Sequence, residues 1–195
     1  EAKAIASKQG AELWVLTFEP HPLAVVKPEY EPKLITPLGL RLKLLEECGV
    51  NGCLLLPFTK ELANTSPEEF CEQFFSYWYD VGMSCTVVSG PNWRFGHKQA
   101  ASIRDIPELT NNRIGAYIVD GVLYEDELVS SSRIRKALSE RALKKANKML
   151  GYNYTICEKS VPERGVGTEI GFPTANIVFS SEVLPANGVY ATRVT

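Results

Sequence analysis

The sequence predicts an α/β protein whose last quarter turns to β structure. Three observations carry this. Short apolar runs alternate with amphipathic helical stretches through the first 150 residues of a 195-residue chain. Helix signals punctuate those stretches at the expected ends. Helical periodicity then stops at Gly151, where prolines and glycines take over.

Residues 13–18 form the first run of strand formers. Thr36-Pro37 follows as an N-cap with proline in the first helical turn. Leu38, Leu42 and Leu45 then recur at helical spacing until Gly49. Residues 53–56 read as a second buried strand. Ser66-Pro67-Glu68-Glu69 is a capping box, and Phe70, Phe74, Tyr77 and Trp78 give the helix behind it an apolar face. Residues 85–88 and 114–119 read as third and fourth strands. Such alternation predicts a parallel sheet covered on both faces. A helical stretch runs from the serines at 130–132 through Leu150, broken near Arg141 and closed by Gly151. Beyond it, residues 152–156 alternate, and Pro162, Gly165, Gly167, Gly171 and Pro173 punctuate an all-β beginning. The boundary is placed near Gly151, giving domains 1–150 and 151–195. The chain opens on Glu1 inside what reads as a helix and closes on residues 188–195, which read as a strand. Both ends are expected to be cuts within folded domains.

An apolar fraction of 45% supports a real core. The net charge of -2 and pI near 5.8 argue against a broad nucleic-acid or anionic-membrane surface. No apolar run approaches the length that spans a bilayer. The five cysteines (Cys48, Cys53, Cys71, Cys85 and Cys157) are scattered without a Cys-x-x-Cys pair, as in a reducing compartment. The expected location is cytoplasmic, with small-molecule substrates and no nucleic-acid or membrane partner.

Three stretches can carry chemistry. The third strand runs into Ser89-Gly90-Pro91-Asn92-Trp93-Arg94-Phe95-Gly96-His97-Lys98, and ligands in open parallel sheets bind beyond the carboxyl ends of strands. Asn92 can pair with a base or flavin edge, and Arg94 and Lys98 can neutralise phosphate. The competing reading packs Trp93 and Phe95 under the sheet and leaves the charges solvated. Ser130-Ser131-Ser132 lead into a helix N-terminus, where free amides favour an anion, with Arg135 one turn further on. Ordinary capping accounts equally for the hydroxyls. His21, between Pro20 and Pro22, reads as a structural histidine without a nucleophile partner. The run Gly171-Phe172-Pro173-Thr174-Ala175-Asn176 is a stiffened turn. Its Thr and Asn either satisfy their own backbone or face phosphate and a hydrated magnesium ion.

These runs, in this order, resemble the bacterial-type bifunctional riboflavin kinase/FAD synthetase. The matching segments are Thr17-Phe18-Glu19-Pro20-His21-Pro22, residues 56–63 with 66–70, Asn92-Trp93-Arg94-Phe95-Gly96, Ser130-Ser131-Ser132-Arg133-Ile134-Arg135, residues 171–176, and Gly188-Val189-Tyr190. The resemblance implies a Rossmann-like nucleotidyltransferase sheet followed by the start of a small β-barrel. It implies two transferase activities, FMN adenylyltransferase and riboflavin kinase, using ATP, riboflavin and FMN with Mg2+ and yielding FAD. Carried over by position, Asn92, Arg94, Ser131 and Arg135 would serve ATP and FMN. Gly167, Thr174 and Asn176 would serve the kinase nucleotide, with Thr174 and Asn176 on magnesium.

The departures are specific. The family's paired-histidine His-x-Gly-His motif has no match, and its kinase glutamate would lie beyond Thr195. Thr168 stands after Gly167 where Gly-Arg is common, and His97 and Ala101 replace a basic residue and a glycine. No catalytic residue is therefore expected within residues 1–195, and at most weak nucleotide or flavin binding. The alternatives are a non-catalytic nucleotide- or flavin-binding module of the same descent, and an adenylyltransferase acting on another phosphate ester.

Overall fold

The computed structural model describes residues 1–158, 160–161, 176–178 and 182–194. In chain order its helices are α1 (Ala2–Gln9), α2 (Pro22–Val26), α3 (Leu38–Glu47), α4 (Lys60–Ala63), α5 (Pro67–Asp80), α6 (Ile106–Leu109), α7 (Ser131–Ser139) and α8 (Leu143–Leu150). Its strands are β1 (Trp14–Glu19), β2 (Gly52–Pro57), β3 (Cys85–Ser89), β4 (Arg94–Phe95), β5 (Ala101–Ser102), β6 (Ile114–Ile118), β7 (Leu123–Tyr124), β8 (Glu127–Leu128), β9 (Ser160–Val161) and β10 (Asn176–Ile177). The chain divides into two compact units: Glu1–Pro32 with Glu46–Val122, and Lys33–Leu45 with Leu123–Thr195.

In the first unit the predicted strands form as two parallel pairs. β1 pairs with β2 from Trp14↔Gly52 to Glu19↔Pro57. β3 pairs with β6 from Cys85↔Ile114 to Ser89↔Ile118. The strands are parallel as expected, but they form two separate pairs where one sheet was expected. Leu54 and Leu55 of β2, which point to opposite faces of the strand, both stay partly open to solvent. Helix α5 starts where the capping box placed it. The Ser66 hydroxyl accepts from the Glu69 amide (3.1 Å), and the Glu69 carboxylate accepts from the Ser66 amide (2.9 Å). Its inner face brings Phe70, Cys71 and Phe75 into a core with Phe95, Ala101, Ile106 and Ile114. Burial there pushes the Cys71 thiol up to about 11, so it is a neutral packing group.

In the second unit α7 and α8 pack as a helical hairpin around Ile134, Ala137, Leu138, Ala146, Met149 and Val183. β7 and β8 form a tight hairpin whose two corner residues, Glu125 and Asp126, take left-handed φ of 52° and 60°, the geometry that suits the twist of paired strands. The break read near Arg141 is real: Arg141 has φ 62°, and Ala142 caps α8 without a side-chain hydrogen bond. Two substitutions should relieve this. Arg141→Gly is expected to add about 0.5–1 kcal/mol by removing left-handed strain. Ala142→Asp should add about 1 kcal/mol by satisfying an orphan amide. Urea denaturation of the single and double variants checks both values.

The β character expected after Gly151 is seen in part. Among the described residues it is the antiparallel pair β9–β10, Asn176↔Val161 and Ile177↔Ser160, and a single parallel bridge from Leu34 to Glu182. The alternation at 152–156 has another cause. Tyr152 bonds the Thr36 hydroxyl at 2.9 Å, and the Tyr154 hydroxyl donates to the Val183 carbonyl. The Tyr154 amide donates to the Asn147 side chain at 2.8 Å. Side-chain anchors, not a strand ladder, set that period. Residues 189–194, also read as a strand, carry no ladder among the described residues.

Candidate functional site

Each stretch singled out in the sequence is held by identifiable local physics. In the first unit the 89–98 loop follows β3, at the carboxyl end where a ligand would approach. Trp93 and Phe95 stack with ring centroids 4.8 Å apart, and Phe95 lies 5.1 Å from Phe70 on α5. The packing reading of these two aromatics is therefore correct. It coexists with exposure of Asn92 between them and the strand. Gly96 presses on α5: at φ 77°, a Cβ there would come 2.7 Å from the Pro67 ring. The His97 amide donates to the Thr65 carbonyl at 2.7 Å. The β3 ladder before it and these anchors after it hold the turn that carries Asn92.

Arg94 is less available than its charge implies. Its Nη1 donates to the carbonyls of Trp93 (3.0 Å) and Pro91 (3.3 Å), folding the guanidinium over its own loop. The neighbouring Asp105 carboxyl is held below its ordinary value by its bonds from Ser102, with a smaller contribution from Arg94. Lys98 and Gln99 both adopt left-handed φ, at 52° and 61°. His21 accepts the Leu23 amide at Nδ1 (3.2 Å) and so caps α2, the structural role its sequence context suggested.

In the second unit Ser130 is the N-cap of α7, accepting the Arg133 amide at 3.3 Å. Ser131 and Ser132 follow on the exposed first turn. Arg135, read as adding charge there, and its neighbour Arg133 both bond backbone carbonyls. Arg133 donates to the carbonyls of Glu127 (2.7 Å), Leu128 (2.9 Å) and Tyr124 (3.1 Å) and pairs with the Glu127 carboxylate at 3.0 Å. Arg135 donates from Nε to the Lys33 carbonyl at 2.9 Å, and its partial burial lowers its basicity. Only one of its nitrogens is used in that bond, so the guanidinium keeps further donors. Asn176 begins β10, half-buried. Gly167 and Thr174 lie outside the described residues.

Asn92 and Arg94 thus belong to the first unit, Ser131, Arg135 and Asn176 to the second. Sequence reading missed two residues that organise the second unit. Arg133 was visible only as a motif member, and nothing in its context signalled three carbonyl acceptors. Glu182, buried at 2% exposure, gave no periodic signal. Among the described residues no group of three or more His, Cys, Asp or Glu is placed to hold a metal ion, and no helix is long and apolar enough to cross a membrane.

Comparison with known proteins adds the following. A family model described as FAD synthetase matches residues 1–133, and one described as riboflavin kinase matches residues 150–195. A bifunctional riboflavin kinase/FMN adenylyltransferase of Bacillus subtilis is 33% identical over 98% of this chain and 60% of its own length. That of Listeria monocytogenes is 33% identical over 99% and 61%, and that of Escherichia coli K12 is 29% identical over 96% and 59%. A crystal structure described as a macrolide-efflux protein from Streptococcus pneumoniae superposes with a TM-score of 0.77 at 30% identity, covering 97% of this chain and 61% of that one. The chain spans about 60% of the length of the curated relatives it matches.

Proposed function

Because the chain belongs to the FAD synthetase family, we propose that it serves FAD synthesis from riboflavin. Residues 1–150 are read as FMN adenylyltransferase and residues 151–195 as part of riboflavin kinase. The observation that carries this is the tandem order of two family matches on one chain, adenylyltransferase first and kinase second. The substrates would be riboflavin, FMN and ATP.

Both reactions depend on positioning and charge neutralisation more than on covalent help from the protein. In the first, an FMN phosphate oxygen attacks the α-phosphorus of ATP, forming the new P–O bond of FAD and releasing pyrophosphate. On this reading Asn92 presents its amide to a base or flavin edge. Arg94 releases its loop carbonyls to meet phosphate. The first turn of α7, with the Ser131 hydroxyl, offers free amides to an anion, and Arg135 adds charge from the next turn. In the second reaction a riboflavin hydroxyl attacks the γ-phosphorus of ATP, forming the phosphate ester of FMN and releasing ADP and the hydroxyl proton. Gly167 would lie close to the nucleotide. The Thr174 hydroxyl and the Asn176 side-chain oxygen are the hard donors that magnesium takes. Bound there, the ion would offset phosphate charge.

Two assays test the reading. The gene's full-length product, supplied with riboflavin and ATP or with FMN and ATP, is expected to yield FMN and FAD on product chromatography. The 195-residue chain alone is expected to give no FAD above background, and at most weak flavin or nucleotide binding by fluorescence quenching. A second reading is a non-catalytic flavin- or nucleotide-binding module. The second reading takes over if the full-length product forms neither FMN nor FAD.

A further inference from the structure

The second unit contains a carboxyl group that no function so far uses. Glu182 is 2% exposed, and neither of its oxygens has a hydrogen-bond partner among the described residues. A carboxylate in that setting loses its hydration without replacement, a cost that protonation removes. Its position makes the cost consequential. Glu182 opens the segment 182–186, which ties several parts of the unit together. The Val183 amide donates to the Leu34 carbonyl at 2.9 Å, and the Ala186 amide donates to the Leu138 carbonyl at the end of α7 at 3.0 Å. The Tyr154 hydroxyl donates to the Val183 carbonyl, and the Tyr190 hydroxyl to that of Ala186. Val183 itself is buried in the α7–α8 core.

We propose that Glu182 is a proton-controlled latch: with its carboxyl neutral the 182–186 segment stays docked on Leu34 and Leu138, and ionisation releases it.

The surroundings agree. Burial pushes the Glu182 carboxyl above its ordinary value of 4.5, and the charge of Glu158 adds to the shift. The Cys157 backbone amide favours the anion but falls short of hydrogen-bond geometry. The Tyr154 hydroxyl, itself pushed up to about 12 chiefly by burial, stays neutral beside it. No cation acts on it among the described residues. The sign follows from linkage. The folded state holds the proton more tightly than the unfolded chain, so docking is strongest below pH 4.5. It weakens as pH rises from there through the folded-state value, and is constant above. This is opposite to a fold held by paired carboxylates, which acid loosens.

Hydrogen-exchange protection factors for the Val183 and Ala186 amides, measured between pH 4 and 8 and corrected for intrinsic exchange, test the latch directly. Protection in the unmodified chain is expected to fall about tenfold for each unit by which the folded pKa exceeds the unfolded one. Glu182→Gln is expected to hold protection flat at the acid-side level. Glu158→Gln should move the wild-type transition to lower pH. Flat protection in the unmodified chain overturns the latch, and so does an unchanged transition in Glu182→Gln. The unmodified chain decides the matter by itself if a variant fails to fold.

Discussion

Phe70→Ala is expected to destabilise the first unit by about 3–5 kcal/mol, the cost of emptying a large aromatic site that cannot fully collapse. Phe70 is 4% exposed. It is the ring on which the others meet, with centroids 4.7 Å from Phe74, 5.1 Å from Phe95, 6.1 Å from Phe75 and 6.5 Å from Trp93. The tilted and edge-on geometries add to simple burial. Removing the ring leaves the Trp93–Phe95 stack without its floor. The consequence reaches the candidate site, because that stack anchors the turn carrying Asn92. Two measurements check this. Urea denaturation gives the loss of stability, with Tyr77→Ala as control: Tyr77 lies exposed on the same helix and should cost within about 0.5 kcal/mol. Exchange of the His97 amide, which binds the Thr65 carbonyl, should quicken well before global unfolding. A loss below about 1 kcal/mol would show that the aromatic cluster repacks around the gap.

The first unit was the more legible of the two, and for a physical reason. Its elements are set by local signals. The Ser66–Glu69 box closes between residues three apart, and apolar runs of strand formers mark β1, β2, β3 and β6. Period and capping are read within a few residues of each other, so no tertiary knowledge is needed. The break at Arg141 was legible on the same ground. Long-range side-chain choices were not. Nothing near Arg135 announces that its guanidinium will bond Lys33, 102 residues away. The period-two pattern at 152–156 belonged to tyrosines that anchor on Thr36 and Val183, a use of alternation that mimics a strand. The candidate site shares this division. Asn92 was correctly placed at a strand end, whereas the arginines at 94 and 135 were read as ready for phosphate and are each bound to backbone carbonyls. A motif states which charges are present, but the carbonyls that compete for them come from the fold.

Arg133 carries the second large effect. Its side chain is 19% exposed and fastens α7 to the β7–β8 hairpin through three carbonyls and one carboxylate. Arg133→Met keeps most of the stem but leaves those carbonyls without their donor, and is expected to cost about 2–3 kcal/mol. Arg133→Lys should recover little of this, because a single ammonium cannot reproduce the planar fork that reaches several acceptors at once. Glu127→Gln removes only the ion pair with an exposed carboxylate and should cost at most about 1 kcal/mol. The order Met, then Lys, then Gln distinguishes carbonyl stapling from charge pairing. If Glu127→Gln matched Arg133→Met, the ion pair would be the main contact. Exchange of the Ile134 amide, which donates to Ser130 in the first turn of α7, gives the local reading. Its protection should fall in Arg133→Met and hold in Glu127→Gln, and it should resist added salt, since carbonyl acceptors carry no net charge to screen. The same contacts hold the first turn in which Ser131 is presented, so Arg133 acts on any anion bound there through the helix it fastens.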